Sequence, residues 1–226
     1  PAEAPAPIAP LAETTAPGPG ADRLGEVEAA FQRALTDPDA AAVAIGALRT
    51  HAQGSNLDAR CRAREALAAL CDEWGRQAWE ASLMGDPDAR VRARLASRVP
   101  EELAGDPRVR EARLRLATTD ATADVRRAAM EGWSCGLADD EADQVLSALA
   151  REHDAATRRA MVEALSSWAP SHDGVAPAFL RTAADVREPR EVRSAALAGL
   201  RIAAAHRPGG FDAARIADAV THEIEN

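Results

Sequence analysis

The chain has 226 residues, a formal net charge of −9 and 28% charged residues, and all 27 of its basic side chains are arginine. The lack of lysine removes P-loop phosphate binding, Schiff-base chemistry and a lysine general base, and the acidic balance argues against a general nucleic-acid binder. Only 3% of residues are aromatic and none is tyrosine, so this alanine-rich sequence favours helices over a β-sandwich.

Residues 1–22 hold six of the fourteen prolines. Such a composition does not pack a core and reads as a semi-extended linker. Because the chain starts on proline rather than methionine, a leader, an anchor or another domain is expected to have been removed. Residues 23–226 form the expected folded domain. Leu24, Val27, Phe31 and Leu35 make an apolar stripe at helical spacing, as do Ala213, Ile216, Val220 and Ile224 at the other end. Between them the chain is punctuated at TDPD (36–39), QGSN (53–56), GDPD (85–88), AGDP (104–107), SHDG (171–174) and RPGG (207–210). The intervening segments are helix-length, and no run of alternating β-branched residues predicts a strand.

One pattern recurs along the chain. LDARCRAREALAAL (57–70), DPDARVRARLASRV (86–99), ATADVRRAAMEGW (121–133), HDAATRRAMVEAL (153–165) and EPREVRSAALAGL (188–200) align on Arg62, Arg92, Arg126, Arg158 and Arg193. The intervals are 30, 34, 32 and 35 residues, a period that signals stacked helical units. In the first copy Arg60 aligns as well as Arg62. Asp88 and Asp154 stand at N-cap positions, Thr122 can serve in the third copy, and Pro189 suits a first helical position. Val91, Val125 and Val192 begin buried stripes that continue at Leu95, Ala129 and Ala196. Each repeated segment follows another helical one: 75–84, 109–118, 141–150 and 175–184. The unit is helix, short turn, helix, and such a pair buries its faces only by stacking on the next.

The pattern D-x-x-V-R-x-x-A-x-x-x-L on the second helix of each pair resembles HEAT-like repeats, especially the short bacterial kind seen in phycobilin-lyase-type proteins. The match covers about residues 38–206. The resemblance implies an all-α, α-α superhelical solenoid of about five stacked pairs with terminal cap helices, used as a scaffold. It also implies a structural ladder between units, to which Asp88, Arg92, Arg126, Asp154, Arg158 and Arg193 are assigned. Its second helices would line a concave face.

No catalytic motif and no cofactor signature appears. Three cysteines (Cys61, Cys71, Cys135) without a CxxC favour reduced thiols and a cytoplasmic setting. The five histidines have no zinc spacing, His153 reads as an exposed turn residue, and DDEAD (139–143) reads as a helix start rather than a metal site. Nothing is apolar for long enough to span a membrane. Two surface readings remain. Arg127, Glu131, Arg159 and Glu163 form i,i+4 pairs at equivalent positions of adjacent units, with Ser134 and Ser166 one turn on and Trp133 and Trp168 at the edge. This strip is the expected seat of a protein or peptide partner. Residues 86–127 hold ten arginines against eight acidic residues. Arg90, Arg94 and Arg98, with Arg108 and Arg115, make an alternative anion or nucleic-acid strip of the kind a HEAT-like DNA glycosylase would use. Trp74 and Trp79 are expected to be buried near the second unit.

Overall fold

A computed structural model describes residues 23–70, 73–131, 133 and 138–206. The linker 1–22, the C-terminal stripe Ala213–Ile224, Cys71, Cys135, Ser134 and the side chain of Trp74 lie outside the described residues. Among those described, the chain is helical and has no strand.

Helix α1 (Arg23–Thr36) is followed by the pair α2 (Ala41–Ala52) and α3 (Leu57–Ala69), then α4 (Glu73–Gly85) and α5 (Ala89–Ser97). A single turn, α6 (Glu101–Ala104), leads to α7 (Pro107–Thr119) and α8 (Ala123–Glu131). The last pairs are α9 (Asp139–Leu149) with α10 (Ala155–Leu165), and α11 (Val175–Ala184) with α12 (Arg190–His206). A short 3₁₀ turn over Ser166–Trp168 leaves α10. Each repeated segment read from the sequence is therefore the second helix of a pair. The short α6 had no sequence signal beyond Pro100, which stands at its N-cap.

The starts of these helices are capped as their residue types dictate. Asn56, Asp88, Asp106 and Asp154 each accept a backbone N–H from the first turn of α3, α5, α7 and α10, satisfying donors that have no partner within the helix. Pro107 occupies the first turn of α7, where its missing N–H costs nothing.

The helices pack in two series. The second helices touch in the order α3, α5, α8, α10, α12, with α1 before them, and the first helices α4, α7, α9, α11 touch in parallel order. Val91, Leu95, Val125, Ala129, Val192, Ala196 and Leu200 are all fully buried, so the valine-led stripes are the core. Each fully buried leucine stabilises by roughly 1.5–3 kcal/mol relative to exposure. Trp79 is also fully buried. Helix α3 has two buried faces: Ala59, Ala63 and Leu67 join the N-terminal cluster, while Cys61 and Ala68 join the larger one. The stripe expected on α1 is only partly buried. Val27 and Ala30 are inside, but Leu24 and Leu35 are 46% and 55% exposed, because α1 stands at the end of its series and packs on α2 and α3.

A ladder of ion pairs ties the second-helix series together, and its closest contacts use acids other than Asp88 and Asp154. Arg92 binds Asp120 at 2.9 Å, Arg126 binds Glu152 at 2.6 Å, and Arg158 pairs with Glu188. Behind each pair the same guanidinium donates to a backbone carbonyl of its own turn: Asp86 O, Asp120 O and Glu152 O, at 2.6, 2.7 and 2.9 Å. Each arginine thus closes its own turn and grips the turn of the next unit. Asp88 and Asp154 cap their helices, and Asp88 also holds Arg90 at 2.8 Å and lies 3.9 Å from Arg60 of the preceding unit. In the first copy the backbone register settles the alignment on Arg60, whose N–H donates to Asn56 O. Arg60 lies 3.6 Å from Asp86, and Arg64 takes the closer contact at 2.7 Å. Arg62 turns back to Glu28 of α1. Arg193 holds the equivalent helical position, its N–H donating to Pro189 O, and is buried. The first-helix series carries its own pairs, Arg76–Asp106 at 3.1 Å and Arg110–Glu141 at 2.5 Å.

Candidate interaction face

The second-helix series exposes a polar surface on the side away from its valine stripes. On α8, Arg127 sits three residues after Asp124 and four before Glu131, at 2.8 and 3.6 Å. On α10, Arg159 reaches Glu163 at 2.7 Å. All four of the expected strip residues keep a third or more of their side chain in solvent. The arginine of one helix also feels the acids of its neighbours: Glu163 first, then Glu191 of α12 and Glu131 of α8, hold the Arg159 guanidinium above its ordinary range. Packing of α8 on α10 therefore brings the two i,i+4 pairs into one surface, as their common register requires. Ser166 is drawn into the helix instead, its hydroxyl donating to Val162 O at 2.9 Å.

Next to this strip, α5 and α8 enclose an open groove of about 590 Å³. Its lining includes the small residues Ala89, Ala93, Ser97 and Ala128, the arginines Arg90, Arg94, Arg98 and Arg127, and the acids Asp124 and Glu131. Two sets of residues separated in the sequence reading thus meet in one place. The arginines differ in state. Asp88 chelates Arg90, at 3.1 and 2.8 Å, and this bond with the Arg90 N–H holds the Asp88 carboxyl down at about 2. Arg94 pairs with Asp58 of α3 and lies 3.8 Å from Glu65. Arg98 is exposed and makes no ion pair among the described residues.

Arg108 and Arg115 are elsewhere. Both are exposed on α7, which belongs to the first-helix series. Arg115 lines a separate groove of about 630 Å³ with Glu111, Asp140 and Gln144. The five arginines of the anion strip do not form one patch, because α8 and α4 lie between the two helices in the packing order.

Trp133 and Trp168 are half-buried and pack on the larger core. The Trp133 ring takes Arg113 at 4.9 Å and Arg110 at 5.8 Å from its centroid, contacts that draw it toward α7 rather than along α8. The indole N–H of Trp168 is buried without an acceptor. Neither tryptophan stands clear of the body as a free anchor.

Sequence reasoning missed Glu65. It lies on α3 one turn after Cys61, with Arg94 at 3.8 Å and Arg62 at 3.9 Å. Burial raises its carboxyl above the ordinary range despite those arginines and the charge of Arg98. The nearby Cys61 thiol is fully buried and pushed up to about 11, chiefly by burial, so it is protonated at neutral pH and a poor nucleophile. Of the DDEAD acids, Glu141 serves the fold: it accepts the Ala138 N–H at 2.5 Å as well as Arg110. His153 is exposed in its turn. Among the described residues no cluster of His, Cys, Asp and Glu could hold a metal ion, and no helix is long and apolar enough to cross a membrane.

Compared with known proteins, the chain matches no protein-family model, no curated protein and no solved structure.

Proposed function

We propose that the chain is a non-enzymatic interaction scaffold. In this reading it is an α-α superhelical solenoid of about five HEAT-like pairs, and its second helices form a concave face that binds a protein or peptide. The observation that carries the reading is the repeated, solvent-exposed Arg–Glu pair on α8 and α10. Exposed pairs of this kind add little to stability, so a partner can compete for them at small cost to the fold. The ladder beneath holds the helices in register, and a rigid surface loses little entropy on binding. Arg127, Glu131, Arg159 and Glu163 read the partner's charge, and the exposed edges of Trp133 and Trp168 add contact area. The test compares proteins captured by the wild-type chain and by the R127E/R159E variant, with helicity checked by circular dichroism. A partner lost only from the variant supports the strip. Identical capture by both would remove it.

A nucleic-acid or phosphate-binding role draws on Arg90, Arg94, Arg98, Arg108 and Arg115. It is the weaker reading, since α7 carries two of the five in the other series and Arg90 and Arg94 already hold Asp88 and Asp58. Binding that falls steeply with salt would favour it, and no binding of DNA or RNA at low salt would eliminate it.

A further inference from the structure

We infer that the α5–α8 groove is the seat of the bound segment, and that it selects a peptide with an acidic centre and basic ends. This rests on the scaffold reading above and adds the partner's charge order. Three alanines and a serine are among the groove's lining residues, which leaves room for an extended backbone to cross from α5 to α8. Four of its lining residues are arginines and two, Asp124 and Glu131 of α8, are acids. Although its charge reaches Glu65, Arg98 is the lining arginine that makes no ion pair among the described residues. A ligand carboxylate would satisfy it through a charge-assisted, two-point hydrogen bond.

Acids stand on both sides of the α5 arginines. On the α3 side stand Asp58 and Glu65, next to Arg94. On the other side Asp124 and Glu131 line the groove from α8, and Glu163 stands beyond them on α10. A long polyanion laid across these helices would meet those acids on both sides of the arginines, within a protein of net charge −9. A short segment with acids at the middle and lysine or arginine at its ends matches the whole profile. Charge complementarity of this alternating kind sets register and partner choice.

The test is fluorescence anisotropy of the full chain with short labelled peptides that differ only in charge order: acidic centre with lysine ends, the reverse order, and acidic throughout. A single-stranded oligonucleotide is the fourth probe. The acidic-centre peptide is expected to bind tightest, and R98E to weaken it roughly tenfold or more, the loss expected for a hydrogen bond between charged groups. R115E, on α7, is expected to leave it unchanged. Equal or tighter binding of the reversed peptide, the all-acidic peptide or the oligonucleotide would overturn the charge order. Wild-type affinity in R98E would overturn the seat. If R98E is silent while R159E abolishes binding, the strip stands and the groove assignment fails. If no peptide binds, both fail. Arg98 is exposed at the end of α5, so the variant keeps the core intact, and circular dichroism checks this directly.

Discussion

Arg126 and Glu152 face each other across two units, joined by Nε at 2.6 Å and Nη2 at 2.8 Å to the two carboxylate oxygens. The Glu152 carboxylate also accepts the N–H groups of His153 and Asp154, each at 2.9 Å, while Arg126 Nη1 holds Asp120 O. One side-chain pair therefore locks the turn before α8 to the turn before α10. Glu152→Ala would leave a mostly buried guanidinium and two N–H groups without their acceptor. It should cost about 3 kcal/mol, the low end for a buried pair that loses one member, read as a fall in the urea midpoint. A loss too small to measure would show that the ladder does not hold the stack.

The same pairs make stability depend on acid. Burial pushes the Asp120 and Glu152 carboxyls up, but their arginine and backbone N–H bonds outweigh it and hold both below the ordinary range. A carboxyl lowered in the folded state contributes stability that is complete above its unfolded value, about pH 4. The contribution is lost as pH falls through the lower folded value. Urea midpoints should therefore be flat from neutral pH down to about pH 5 and drop below about pH 4, and Glu152→Gln should shallow that drop.

Gly199 of α12 allows the close approach of α11. A Cβ there would strike Phe179, with Cδ2 at 2.7 Å, and would stand 2.8 Å from Ser166 Oγ. Phe179 is fully buried and has nowhere to retreat. Alanine gains up to about 1 kcal/mol in helix propensity over glycine, but overpacking of this kind costs about 1–3 kcal/mol. Gly199→Ala should lower the melting temperature. A rise would mean the ring swings aside and propensity wins.

Arg127 and Arg159 should be expendable for folding. Their partners lie on their own helices and in solvent, where ion pairs are screened and weak. R127E/R159E should keep wild-type helicity and lower the urea midpoint only slightly, since each new like-charge contact with Asp124, Glu131 or Glu163 costs a few tenths of a kcal/mol. A marked loss would make the strip structural and would undercut its use as a binding surface.

Cys61 should resist alkylation. Its thiol is sealed in the core and protonated at neutral pH, so iodoacetamide under native conditions should spare it and urea should expose it. Peptide mapping by mass spectrometry distinguishes it from the other two cysteines.

The local features of this protein were set by its sequence alone. Helix identity, the caps at Asp88 and Asp154, the valine-led buried stripes and the i,i+4 pairs on α8 and α10 all depend on residues within a few positions of each other, and the paired-helix period is the recurrence of these local patterns. Backbone periodicity makes such neighbours meet whatever the rest of the chain does. The packing decided the long-range pairings. Arg92, Arg126 and Arg158 choose acids 26 to 30 residues away, where several carboxylates lie near enough in sequence to compete and only the register of one helix against the next selects among them. The same register drew Trp133 toward Arg113, divided the arginines between α5 and α7, and joined Arg98 and Arg127 across one groove. Side-chain reach is only a few ångströms, so which charges share a site is a property of the packed helices and not of their order in the chain.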